Sequence, residues 1–491
     1  MKKRLLTLLT FCLVSILCWA QNTSVIEVQT QGEFDGLDAQ IKQTLKAGIS
    51  DIKVQLQTGI YYYGEKHLDF SSLNYPKASI TIMGEGSYLI GKDLGAARSW
   101  QDGTFRATML QDVDRWSAFE QSPSMVEVVD RQAKMCRIRV PYKQKAQNEM
   151  KCEGQYLQLT EWYDSKVYPV IRRDKKYIYF YAPDLKYSQS FGEWNVNYDL
   201  VYGHVTPRYR TMDQKVASEE VTFCQASTFL NLWHSKLGRV TLQGIVFGPN
   251  NGRAPLIDTD MLECESLQVT SCIFRGVRGL VAKVWHTDNV QIHANTFEGC
   301  YAGVIESYNG SAKTEVSNNE FLDHGRGMRQ NFAIICRGED FLIKNNSFRN
   351  FNYAAIGVGL WYGHQKKGPV TGQVVGNEIS YDQEYYNQYQ QHTLMDGGAI
   401  YAWTICDKVE IIGNTINRYR GVKDYRGIFC DDGAKNITVR NNTVTNIGDN
   451  CWCIDLRWVD HVSEKVPDHN TGNVVSDNQV DGRIRFETKR P

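Results

Sequence analysis

Five aspartates toward the C-terminal end of the chain, Asp396, Asp424, Asp431, Asp432 and Asp455, lie beside short apolar segments rather than in a solvated acidic run. Carboxylates brought within a few ångströms of one another repel, and at least one is driven to keep its proton. A protonated acid facing an ionised carboxylate is the pair that splits a glycosidic bond. Its separation sets the outcome, about 5 Å for retention and roughly 6.5–9.5 Å for inversion. Against this stands the ordinary use of Asp before Gly in turns, as in Asp432-Gly433. Chemistry therefore depends on whether a scaffold gathers these side chains on one surface.

The scaffold is visible as a repeat. Val240–Phe247, Leu267–Phe274, Val290–Phe297, Thr314–Phe321, Phe341–Phe348, Gly372–Ile379, Val409–Ile416, Ile437–Val444 and Asn473–Val480 are nine copies of one unit, spaced by 23 to 37 residues. Each is a strand of period two, a corner occupied in most copies by Asn (Asn295, Asn319, Asn346, Asn377, Asn414, Asn442, Asn478), and an apolar residue two positions on. Asn tolerates left-handed backbone angles, and its amide can bond the same residue in the coils above and below. After each copy a variable loop leads to another short strand, among them Gly303–Glu306, Ala333–Arg337, Ala355–Val358, Gly398–Trp403 and Gly427–Asp431. Three strands per coil with Asn corners predict an all-β fold, a right-handed single-stranded parallel β-helix.

In such a solenoid equivalent residues of successive coils stack about 4.8 Å apart. Aligning Ile400 with Ile428 puts Asp396 beside Asp424, and aligning Cys430 with Cys453 puts Asp455 beside Asp432. Asp432 with Asp455 then suits retention, and Asp396 with Asp431 or Asp432 suits either outcome. Asp396, Asp431, Asp432 and Asp455 are the candidate catalytic acids. Arg337, Arg426 and Arg457 are placed to pair with them or to hold a uronate. Trp361, His364, His392, Tyr401 and Trp403, with Asp424, are candidate substrate contacts: aromatic faces pack on sugar rings, and loop histidines add polar contacts.

Upstream, residues 21–99 are expected to form the cap and first coils. Leu37, Ile41 and Leu45 fall at helical spacing and end at Gly48, and Ile52–Leu56 and Ser79–Met83 alternate as strands. Gly86–Lys92 has the spacing of a phosphate-binding loop, but Asp93 stands where a hydroxyl is needed and the interior is strand-forming. From 100 to 213 the repeat is absent. Alternating aromatic segments such as Lys176–Tyr181 predict an inserted antiparallel β-subdomain, and 214–491 carries the coils and the acids.

Met1–Ala20 reads as a secretory leader, with Lys2, Lys3 and Arg4 before an apolar run; the bulky Leu17 disfavours lipid attachment at Cys18. Lys plus Arg and Asp plus Glu both number 55, so nucleic acid is not an expected partner. No later run is long and apolar enough to span a membrane. A secreted or periplasmic protein is expected, with an oligo- or polysaccharide as its partner. Of 13 cysteines, Cys12 and Cys18 belong to the leader; most others read as buried small hydrophobes, with Cys136 and Cys152 the pair most suited to a disulfide.

The segment Asp396-Gly397-Gly398-Ala399-Ile400-Tyr401, followed by Gly427-Ile428-Phe429-Cys430-Asp431-Asp432-Gly433 in Asn-cornered coils, resembles the right-handed β-helix glycoside hydrolases of Bacteroidetes-type glycan degraders, which include β-xylosidase, α-fucosidase and xylanase groups. The resemblance covers roughly 240 to 480 and implies a pectin-lyase-like fold, no organic cofactor, and catalytic carboxylates at Asp396 and at Asp431 or Asp432. Phe429-Cys430 departs from the Tyr-Leu expected there. A calcium-dependent polysaccharide lyase and a non-catalytic glycan-binding protein on the same fold are the alternatives.

Overall fold

The computed structural model describes residues 23–91 apart from Glu65, separate strands between 106 and 222, and 228–487 apart from the loops 251–254, 325–331, 361–368, 383–396, 418–425 and 458–469 and some shorter gaps. Three parallel sheets of 12, 11 and 11 strands run the length of the coiled region. The chain visits them in fixed rotation, as in Lys408–Ile412, Thr415–Asn417 and Arg426–Cys430, before Ile437–Arg440 begins the next coil. With the right-handed crossover that parallel strands adopt, this is the right-handed parallel β-helix expected from the repeat.

Its core is filled in columns. Phe247, Phe274, Phe297, Phe321 and Phe348 stack with centroids 4.5 to 5.0 Å apart and planes within 16° of parallel. Ile379, Ile416 and Val444 continue the column, all buried. The Asn ladder runs beside it: the amide nitrogens of Asn295, Asn319, Asn346, Asn377, Asn414 and Asn442 each donate to the amide oxygen of the next at 2.9 to 3.0 Å. The left-handed residue is not the ladder Asn, as the sequence suggested, but the one before it: Ala294, Asn318, Asn345, Gly376, Gly413, Asn441 and Asp477 all have positive φ. That residue turns the chain, and the turn leaves the next amide pointing inward. Asn377→Ala removes the acceptor of both the Asn346 backbone N–H and its side chain, and should cost about 2–3 kcal/mol, read as a lowered urea midpoint; an unchanged midpoint would make the ladder decorative.

The first coil is closed by Thr23–Val28 and by helices Gln31–Asp35 and Leu37–Lys46. Thr30 and Glu33 cap the first helix reciprocally. Leu37, Ile41 and Leu45 face the core as their spacing predicts, and Gly48 ends the second helix at φ 86°. Ser87–Gly91 is a buried strand between Gly59–Tyr63 and Val246–Phe247, so the phosphate-loop spacing is coincidental. Between it and Leu230–Trp233 come a seven-stranded antiparallel sheet and the pair Arg106–Thr108 with Glu220–Thr222, which carries the inserted stretch beyond 213.

Among the described residues seven cysteines of the coils are buried, and Cys272, Cys300 and Cys336 are each pushed up to about 12 by burial. Residues 1–20, read above as a leader, and Cys152 lie outside the described residues. Among the described residues no helix is long and apolar enough to cross a membrane.

Burial also holds His324 down to about 4, partly offset by the Phe332 backbone. A histidine with its folded pKa below 6.5 binds its proton more readily unfolded, so its contribution is present at neutral pH and is lost as pH falls toward 4. About 2 kcal/mol should go between pH 7 and pH 5. His324→Leu should flatten the pH dependence of the urea midpoint in that window; an unaltered slope would exclude His324 as its source.

Candidate active site

Asp431 and Asp432 follow Arg426–Cys430 and Asp455 lies on Trp452–Leu456; these two strands and Gly398–Ala402 are neighbours in the third sheet. Ile400 pairs with Ile428 as aligned from sequence, and Ile428 with Ile454. All three isoleucines are buried in the core, which turns the residues after them outward. The outer face therefore stacks Tyr401 on Phe429 and Phe429 on Asp455.

This register corrects one expectation. Cys430 pairs with Leu456, not with Cys453, so Asp455 stacks on Phe429 rather than beside Asp432. The sequence alignment matched cysteine to cysteine, whereas the inward isoleucines decide the pairing. Asp455 is wholly buried: Oδ1 accepts from Arg485 Nε at 2.6 Å, and Oδ2 from Arg426 Nε at 2.9 Å and Arg485 Nη2 at 2.7 Å. Arg426 lies 4.2 Å from the centre of the Phe429 ring. Arg426 and Asp455, expected at substrate and at catalysis, thus form a buried ion pair that Arg485 completes.

Asp431 follows the strand Arg426–Cys430 directly, at the next outward position, and is 5% exposed. The Tyr401 hydroxyl donates to Oδ2, and Arg457 Nη2 lies 3.5 Å from Oδ1. The Arg457 side chain is 32% exposed, so the carboxylate has a polar neighbour that reaches solvent. Around it Tyr401 packs on Phe429 (5.0 Å), Trp403 (5.1 Å), Phe332 (5.6 Å) and Tyr353 (5.7 Å). Gly357 makes room for this cluster, because a Cβ there would meet Phe332 at 2.7 Å and Trp403 at 3.0 Å. Behind the site, burial first and then Asp455 and Asp431 push the Cys430 thiol up, so it is no nucleophile.

Asp432 occupies the turn that follows. It and Gly433 have φ of 50° and 65°, Ala434 N–H donates to the Asp431 carbonyl, and the Asp432 carbonyl accepts from Thr404 Oγ1 at 2.8 Å. Asp before Gly here meets the conformational need that the sequence reading set against catalysis. Arg337 pairs with Glu306 at 3.3 Å and lies 5.4 Å from the Trp403 ring centre. Asp396, Asp424, Trp361, His364 and His392 lie outside the described residues.

The outer face continues beyond the predicted set. Asp258, Lys283 and Glu306 follow one another at adjoining rungs, with Trp285 and Tyr308 on the neighbouring column. Sequence reasoning passed over them, although Trp233, Trp285, Tyr308 and Trp403 share a signal: an aromatic at or just past the end of a third-sheet strand. Among the described residues no three His, Cys, Asp or Glu side chains converge as metal ligands.

No family model matches the chain, and no curated protein matches it. Solved structures similar to it include a periplasmic alginate epimerase (10% identity, TM-score 0.33, 88% of this chain and 76% of that one) and the catalytic domain of a GH87 alpha-1,3-glucanase (11%, 0.24, 76% and 88%). A tailspike of Pseudomonas phage phi297 also matches (9%, 0.14, 84% and 69%).

Proposed function

We propose that the protein is an exported, carbohydrate-active β-helix enzyme that hydrolyses a glycosidic bond on the outer face of its third sheet. The observation that carries this reading is Asp431: a carboxylate on an outward rung, held by the Tyr401 hydroxyl and Arg457 within an aromatic cluster. A phenol and a guanidinium are both donors, and two donors suit an ionised carboxylate. Asp431 is accordingly the nucleophile or base. The proton donor is Asp396 or Asp432, Trp403 offers the sugar an aromatic surface, and Asp455 is a positioning residue that fixes Arg426 beneath Phe429. Export follows from the leader at 1–20.

The test is product analysis on a panel of plant and host glycans, with and without a chelator. New reducing ends without an ultraviolet-absorbing unsaturated sugar, unaffected by chelation, support hydrolysis. An unsaturated, chelator-sensitive product would replace it with a calcium-dependent lyase. Binding without any product would leave a glycan-binding protein.

A further inference from the structure

The third sheet carries an aromatic and charged track along its outer face, extending away from Asp431. Trp233 lies seven rungs from Asp431 on the same outward column, roughly 34 Å at one rung spacing each. Trp233 is 38% exposed, one of few large apolar side chains left open to solvent among the described residues. Lys283 Nζ sits 5.7 Å from the Trp233 ring centre, 4.8 Å from that of Trp285 and 6.0 Å from that of Tyr308, and 3.8 Å from Asp258 Oδ1. Arg337 repeats the arrangement nearer the acid: it pairs with Glu306 and lies over both Tyr308 and Trp403, 5.7 and 5.4 Å from their centres. Trp403 in turn packs on Tyr401, which holds Asp431. The contacts run unbroken from Trp233 to the proposed reacting carboxylate.

Resting on the reading of Asp431 as the hydrolytic carboxylate, we infer that this track binds a neutral polysaccharide chain along the helix axis, with Trp233, Lys283, Trp285 and Arg337 as subsites far from the scissile bond. Each cation on the track stands beside a carboxylate, and Asp260 adds a further acid at the rung between Trp233 and Trp285, so the face carries no positive excess and does not select a polyanion. What it presents at successive rungs is aromatic surface beside paired donors and acceptors, the surface that a hydroxyl-rich chain needs. Strand addition by an extended peptide would need an open strand edge, and the face of a sheet whose strands are paired on both sides has none. The enzyme is therefore built for internal cleavage of a polymer rather than removal of single terminal sugars.

The experiment uses the full mature chain in two forms, wild type and Asp431→Asn, each with Trp233→Ala or Lys283→Ala added. Affinity electrophoresis in gels containing xylan, arabinoxylan or mixed-linkage β-glucan reads binding without catalysis. At least a tenfold loss of polymer affinity is expected from either track substitution on the Asp431→Asn background. On the active background, KM for polymer should rise by the same factor while kcat, and cleavage of a trisaccharide of the same linkage, stay unchanged. Equal effects on polymer and trisaccharide, no effect on either, or no retardation by any polymer in the panel would overturn the track. Retardation that depends on Trp233 in a wild type that forms no product would sink the hydrolase and keep the track.

Discussion

Asp431→Asn should retain the unfolding midpoint of the parent and lose roughly 10³-fold in turnover, within the range expected when an acid or base is removed from a transition state. That is about 4 kcal/mol of barrier. Asn keeps the shape of the carboxylate and can still accept from Tyr401, so the packing of Phe332, Tyr353, Tyr401 and Phe429 should survive. What it loses is the negative charge beside Arg457 and the lone pair that attacks carbon or takes a proton from water. Tyr401→Phe should cost less, because Arg457 still orients the carboxylate. Turnover is measured as reducing ends on whichever glycan the wild type cleaves, with the urea midpoint as control. Full activity in Asp431→Asn would remove Asp431 from the chemistry and return the assignment to Asp396 and Asp432.

Asp455→Ala should be the most damaging single change to stability, by about 3–5 kcal/mol. The Arg426 side chain is 4% exposed and donates to Asp455 Oδ2; with the carboxylate gone its charge stays buried with its main counter-ion missing. Arg485, 25% exposed, can turn toward water and is not the source of the loss. Arg485→Ala is therefore expected to cost far less than Asp455→Ala, although both break a hydrogen-bonded ion pair. Urea unfolding of the two variants checks the order. A collapse in kcat with an unchanged midpoint in Asp455→Ala would instead make Asp455 a reacting group.

The coils were legible because their chemistry is local and periodic. The Asn corner, the period-two strand before it and the Phe or Ile two residues later all fall inside one eight-residue unit, and stacking such units multiplies one preference into a ladder and a column of rings. The capping helix was legible for the same reason, since Leu37, Ile41 and Leu45 declare their face by spacing alone. Tyr401, Trp403, Arg426 and Arg457 stand out in the sequence as candidate substrate contacts, but the residues they meet, Asp431 for Tyr401 and Arg457 and Asp455 for Arg426, are not readable there. The third-sheet strands are only three to five residues long through most of the coils and are joined by loops of unequal length, so pairing the wrong inward residue displaces every side chain outside it. Matching Cys453 to Cys430 instead of Ile454 to Ile428 sets Asp455 beside Asp432, whereas the register sets it on Phe429.

The sequence by itself therefore determined the β-helix, its Asn-cornered coils, its helical cap and the stretch of chain that bears the acids. Only the tertiary structure decided that Asp431 meets Tyr401 and Arg457 while Asp455 is enclosed by two arginines, and that Trp233 and Asp431 share one column. The physical reason is that the coil spacing makes neighbours of residues far apart in the chain, and their chemistry depends on register, which the inward side chains set together and no single strand encodes.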